Sequence, residues 1–342
     1  MAVAITSPLD YTPLVIFYWT MTSPFPKSTA ISGAGEIVAA LLPDGITSTL
    51  TKITYQYPLK LITPLRPSET KSALVFLLSY GGGLVAGDQV HLSISILPSA
   101  RLSVVTQGHT KIFKSVTPDI VTRQTLDVTI LKDAALCLLP DPVQPFEGSV
   151  YEQKQVFRLE EGASLCLLDW VTQGRTARGE DWSFVKWVGR NEIWAGGRML
   201  VRDAVILDRD RQVGGMTLKQ SMHAMGVLGT LVLRGPLVKG LGAFFLEEFD
   251  ALPRLGSRDW RSEEAKKKDD EGKDGREKWR AERLKIEKES LVLWSAANVR
   301  GCVVVKFGAP EVEAGRLWIG NMLKREGSVL QHFGDHALMC VK

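Results

Sequence analysis

The sequence predicts a mainly β fold, sheets packed on one another with a few α-helices, and three observations carry that prediction. Between residues 33 and 207 the chain is a succession of short apolar or alternating runs, at 51–57, 73–78, 90–96, 100–106, 125–130, 156–159, 182–188 and 199–207. Turn residues divide them, as in Pro140-Asp141-Pro142 and Gly196-Gly197, the punctuation of strands rather than of helices. No motif recurs at a fixed spacing, which disfavours a propeller or a leucine-rich solenoid and leaves stacked sheets.

Residues 1–21 are punctuated by proline and follow no period, predicting a disordered extension ahead of a single domain over 22–342. In that domain Val90, Leu92, Ile94 and Ile96 alternate with His91, Ser93 and Ser95, the pattern of a half-buried strand. The glycine-rich stretch Ser79-Tyr80-Gly81-Gly82-Gly83-Leu84-Val85-Ala86-Gly87-Asp88 therefore joins strand to strand. Gly81, Gly83 and Ala86 meet a relaxed dinucleotide fingerprint, but a phosphate cradle needs a helix N-terminus behind it. No helical pattern follows here, so the glycines are read as a tight connection. Residues 139–146 hold Pro140, Pro142 and Pro145 and predict a rigid extended segment. The stretch 169–182 sets Arg175 and Glu180 beside Gly174 and Gly179. It reads either as a hairpin connection with surface ion pairs or as the rim of a polar cavity or docking site.

Helices are predicted at 217–225, where Met222 and Met225 are read as core residues, and at 310–322. The second opens with Pro310, Glu311 and Glu313 and ends near Lys324 and Arg325, as the helix dipole favours. About two thirds of residues 256–290 are charged, with both signs mixed. Such a segment buries too little apolar surface to offset the entropy of ordering it. It predicts an insertion within the domain, disordered to about Gly275 and then a solvated helix over 276–289, with Lys278 near Glu282 and Lys285 near Glu289.

Composition narrows the classes of function. A hydrophobic fraction of 45% and a mean hydropathy of +0.01 describe a soluble globular chain, and the apolar run at 14–21 is too short to span a membrane. No Lys or Arg precedes that run, so a signal peptide is not expected. The net charge of +4 is spread along the chain, which argues against nucleic acid as a partner. Cys137, Cys166, Cys302 and Cys340 form no C-x-x-C pair and read as small buried hydrophobes in a reducing cytoplasm. The five histidines, His91, His109, His223, His332 and His336, offer no H-E-x-x-H, and no G-x-S-x-G elbow is present. His332 and His336, four apart, are read as solvent-facing polar groups. No nucleophile, base or metal centre is advertised, and an enzyme is not expected.

The ordered series Ser23-Pro24-Phe25, Tyr57-Pro58-Leu59-Lys60, Gly82-Gly83 with Gly87-Asp88, Thr106-Gln107 with Thr110-Lys111, Leu139-Pro140-Asp141-Pro142 with Pro145-Phe146, and Gly174-Arg175 with Gly179-Glu180 resembles the urease accessory protein family UreD, also called UreH. Leu293-Trp294-Ser295, the run 301–307 and the helix from Glu311 continue the resemblance. It covers residues 22–254 and 291–342, with the first segment and the charged insertion looking like fungal or plant-like elaborations. The resemblance implies a helix-like stack of β-sheets and a non-enzymatic maturation factor. Its implied partners are apo-urease, a UreF-like protein and, through UreF, a UreG-like GTPase, with no nucleic acid and no membrane. It also implies nickel carried transiently, with no tightly bound cofactor, through an internal polar tunnel. Carried over by motif, Asp88, Thr106, Thr110, Asp169 and Glu180 are the candidate tunnel-lining residues, since carboxylate and hydroxyl oxygens hold nickel weakly. Some relatives carry a carboxylate directly after the position of Val201, where this chain reads Arg202-Asp203. A structural β protein of another assembly, a metal-dependent hydrolase and a nickel-storage protein are the rival readings; the last two need ligands that this sequence does not display.

Overall fold

The computed structural model describes residues 31–64, 71–211, 214–253 and 275–342. The expected extension at 1–21 and the first part of the expected insertion, 256–274, lie outside the described residues. β1 (Ala34–Leu41) and β2 (Ser48–Tyr55) form an antiparallel pair, and β3 (Leu59–Ile62) turns back on β4 (Ala73–Ser79). From β4 the chain repeats a circuit of three strands. The first is β4, β5 (Gly83–Leu84) and β6 (Gln89–Ile96); the second is β7 (Arg101–Val105), β8 (Thr110–Ile112) and β9 (Thr122–Ile130). The third is β10 (Ala135–Leu138), β11 (Val143–Pro145) and β12 (Val150–Leu159), and β13 (Ser164–Thr172) with β14 (Lys186–Ala195) completes the run.

Each strand lies parallel to its counterpart one circuit later, β4 by β7 by β10 by β13 and β6 by β9 by β12 by β14. That coil is the expected helix-like stack. β15 (Arg198–Asp208) ends a seven-stranded sheet in the order β15-β14-β12-β9-β6-β1-β2. β16 (Val227–Arg234), β17 (Leu293–Val299) and β18 (Cys302–Ala309) extend the other, larger sheet, whose main path runs β17-β18-β16-β13-β10-β7-β4-β3.

Burial explains the two kinds of strand sequence. The seven-stranded sheet buries one face, so β6 and β14 alternate. β10 and β13 are buried at every position because the larger sheet is covered on both faces, the condition that produces continuous apolar runs. One core lies between the sheets, with Ile37, Leu92, Leu126, Phe157 and Leu167 among its members. The other lies between the larger sheet and the helices and includes Trp170, Leu231, Phe245, Trp318 and Leu323.

α1 (Leu218–Ser221) is a single turn, shorter than the predicted 217–225, because His223 and Ala224 take φ of 48° and 65° and end it. α2 (Lys239–Asp250) was not predicted: Gly240 and Gly242 lower its propensity, but Leu241, Phe245 and Glu248 make one buried face against the larger sheet. α3 (Gly275–Glu289) follows, then α4 (Val312–Glu326), which outruns its predicted end and stops at Gly327 with φ 92°. α5 (Ser328–Phe333) and a 3-10 stretch at Asp335–Val341 finish the chain. The strand predicted from residue 182 begins at Lys186, since Trp182 turns the chain at φ 54°.

α3 is the helix expected over 276–289, with most positions exposed and Lys285 3.9 Å from Glu289, but one face of it is docked rather than solvated. Glu248 of α2 has no exposure and takes ion pairs from Arg276 at 2.9 Å, Arg280 at 2.8 Å and Arg283 at 3.3 Å. Arg283 also pairs with Glu287 at 2.6 Å, and the Trp318 indole N–H donates to the same Glu287 oxygen at 2.7 Å. Trp279 packs on Phe244 with ring centroids 5.6 Å apart. Charges that look like a wet surface in sequence are thus the cement of a helix-on-helix contact.

Candidate functional site

On the face of the seven-stranded sheet turned toward the larger sheet, Ile94, Val128, Phe157, Ile193 and Val201 stand in register as an apolar row. The next row reads Leu92, Leu126, Gln155, Asn191 and Asp203. It turns polar at β12 and stays so to the sheet edge. Gln153 stands one row further on, and across the layer Asp169, Thr230 and Lys306 lie side by side on β13, β16 and β18. A polar seam therefore opens inside an otherwise apolar sandwich.

Its centre is Asp169, 8% exposed. The Gln153 amide donates to Oδ1 at 2.9 Å and the Asn191 amide to Oδ2 at 2.7 Å. The far ends of both amides are fixed in turn: Gln155 donates to the Asn191 carbonyl at 3.0 Å, and the Tyr151 hydroxyl to the Gln153 carbonyl at 3.2 Å. Every donor in this network points toward one carboxylate, and every one is neutral. Burial raises the pKa of Asp169 from its ordinary value; the amide bonds and the Lys306 charge work against the rise, while Asp203 adds to it. At the outer end of the seam, the Lys306 ammonium contacts Asp203 Oδ1 at 2.6 Å and Thr230 Oγ1 at 3.1 Å. Oxygen donors of this kind hold divalent ions loosely. Among the described residues no three His, Cys, Asp or Glu side chains converge as a metal cage.

The other candidates fall elsewhere. Thr110 is in register with Val143 and, beyond it, Val171, which puts it on the same face as Asp169, about 10 Å across the strands and about 7 Å along them. Thr106 is committed: its hydroxyl donates to Asp141 Oδ2 at 3.0 Å and accepts the Asp141 N–H at 2.6 Å, while Arg316 pairs with Asp141 at 3.0 Å. Cavities of about 420 Å³ and about 320 Å³ flank Thr106, the second lined also by Tyr80, His109 and Thr110. Asp88 closes its own turn, accepting the Val85 N–H at 2.8 Å while its own N–H reaches the Val85 carbonyl at 3.0 Å. Gly87 makes that turn possible at φ 86°. Burial raises the Asp88 pKa, with the Val85 bond opposing it.

Glu180 is clamped by Arg175, whose backbone N–H donates at 2.7 Å, whose Nε donates at 2.9 Å, and whose Nη2 completes the pair. Arg175 also lies 3.7 Å over the Phe146 ring. Gly174 is required there, since at φ 115° a Cβ would sit 2.9 Å from Glu180 Oε2. Burial pushes the Glu180 pKa up, but the Arg175 bonds overcome it and the net shift is downward. His336 faces Ser72 Oγ at 3.1 Å.

The structure thus ties Asp169 to Asn191, the register neighbour of Asp203, and leaves Glu180 and Thr106 tied to local partners. Sequence reasoning missed Gln153, Gln155, Asn191, Asp203 and Lys306. One signal was available: Gln153 and Gln155 share the parity of Phe157 and Leu159, so they are polar residues at core positions of a strand. The Arg202-Asp203 departure is resolved by the same rule, because Arg202 points out to Glu192 at 3.7 Å while Asp203, whose side chain is 12% exposed, points in.

The sequence profile described as UreD urease accessory protein matches residues 34–338. A protein of Schizosaccharomyces pombe named uncharacterized urease accessory protein ureD-like is 33% identical over 291 residues, covering 83% of this chain and 91% of that one. Urease accessory protein 4 of Cryptococcus neoformans is 36% identical over 210 residues, 53% of this chain and 64% of the other, and urease accessory protein D of Arabidopsis thaliana is 32% identical over 198 residues, 57% and 66%. Among the described residues no helix is long and apolar enough to cross a membrane.

Proposed function

The chain belongs to the UreD family of urease accessory proteins, and from that premise we propose that it is a non-catalytic factor in urease maturation. In this reading it binds apo-urease and a UreF-like partner that brings a UreG-like GTPase, and nickel passes as cargo along the seam around Asp169. One observation carries the reading: a buried carboxylate held by neutral donors, facing across the layer a polar row of the seven-stranded sheet that runs to its edge. Such a group lacks the full counter-charge that structural carboxylates acquire, and a passing cation supplies it. In this reading Thr110 shares the face of Asp169, Asp88 serves the route from its own turn, and Thr106 and Glu180 hold the surrounding loops in shape.

The test separates binding from transfer. Asp169→Asn protein is expected to co-elute with apo-urease and the UreF-like partner as the wild type does, while urease matured with it contains less nickel. Normal nickel content overturns the cargo route, and failure of the wild-type chain to co-elute with apo-urease overturns the maturation reading altogether.

A further inference from the structure

Lys306 is an unusual neighbour for such a route, because a resident cation stands where a cargo cation is expected. Its side chain is 48% exposed, and its ammonium contacts Asp203 and Thr230, at 2.6 Å and 3.1 Å. The backbone beneath it is fixed by β16 on one side and β17 on the other, so only the flexible four-carbon stem has freedom to move. Asp169 and Asp203 together carry two negative charges when ionised; the amides around them carry none, and Lys306 supplies one positive charge. A divalent ion balances the two carboxylates only if the ammonium leaves.

We propose that Lys306 is a tethered placeholder: in the absence of metal it occupies the outer end of the seam, and a divalent cation must displace it into solvent to bind between Asp169 and Asp203. This rests on the nickel-route reading and deepens it by giving a reason for weak binding. At short range in a partly buried site, one unit of like charge is enough to change cation affinity by an order of magnitude. The result is a site that takes nickel and lets it go.

Nickel binding to the full-length chain, measured by equilibrium dialysis, tests this directly. Lys306→Met keeps the stem and removes the charge, and about tenfold tighter Ni²⁺ binding is expected. Lys306→Arg is expected to bind as weakly as the wild type, and adding Asp203→Asn to Lys306→Met is expected to abolish the gain. Equal affinity for Lys306→Met and wild type overturns the proposal, as does a gain that survives Asp203→Asn. Lys306→Gln provides a second reading should the Met variant fail to fold, judged by thermal unfolding. Undiminished urease nickel with Asp169→Asn removes the route but leaves the affinity comparison intact, so the two ideas fail separately.

Discussion

Glu248 and Asp169 are both carboxylates withdrawn from solvent, the first between helices and the second between sheets, and their surroundings are opposite. Glu248 receives three guanidinium groups; Asp169 receives two amides. Burial works to raise both pKa values. At Glu248 the bonds from Arg280 and Arg276 and the charges of Arg280 and Arg283 overcome burial, and the net shift is down; at Asp169 burial wins and the net shift is up. The difference teaches how two buried carboxylates are told apart by the groups that surround them. Over-compensation marks the first, under-compensation the second.

Removing the charge at each site is the strongest way to break that comparison. Glu248→Gln takes the shared carboxylate from Arg276, Arg280 and Arg283, leaving Arg283 only Glu287, and removing one member of a buried ion pair costs about 3–5 kcal/mol. Urea unfolding of the variant is expected to show a loss in that range, and a loss under about 1 kcal/mol would mean the arginines are solvated after all. Asp88→Ala is intermediate. It leaves the Val85 N–H without its acceptor, as loss of a helix cap does, and about 0.5–2 kcal/mol is expected. If Asp88 also serves the route, the complex with the UreF-like partner and apo-urease still assembles while urease nickel content falls.

Asp169→Asn is expected to change stability least at neutral pH, by about 1 kcal/mol or less, because the shape is kept and a flip of the Gln153 amide, with the Tyr151 hydroxyl then accepting, presents its carbonyl to the new N–H donor. Its effect lies in the pH profile. With a raised folded pKa, Asp169 contributes stability below its unfolded value of about 3.9, and the contribution is lost as pH rises through the folded value. With a lowered folded pKa, Glu248 contributes above about 4.3, and its contribution is lost as pH falls through the folded value. Asp169→Asn should therefore flatten stability on the less acidic side and Glu248→Gln on the more acidic side. Profiles that change in the same sense in both variants contradict the comparison.

Much of the strand order was legible in the sequence because alternation and turn residues survive in any single chain, as at 90–96 and 199–207. α4 was legible because its ends carry the charges that its dipole favours. α2 was not, since its glycines argue against a helix and only packing against Trp294 and Trp318, 6.3 Å from Phe245, makes it one. The docking of α3 was hidden for the complementary reason: charge composition reports solvation only when the partner is unknown to be a buried acid. At the seam, Asp169 was found through its motif, whereas Gln153, Asn191 and Lys306 come from three separate strands. What unites them is cross-strand register, which one sequence does not print.

The coil of parallel strands is also compatible with assembly in the order of synthesis. Each circuit lies beside the one made just before it, so the chain can dock strand by strand as it leaves the ribosome, and the order of synthesis is the order of stacking. Asp169 is in place once β13 is laid down, and its amide partners on β12 and β14 arrive immediately before and after it. Lys306 is synthesised more than 130 residues later. Through that interval the nascent seam lacks the Lys306 ammonium beside Asp203, and it is the last strand of the chain that completes it.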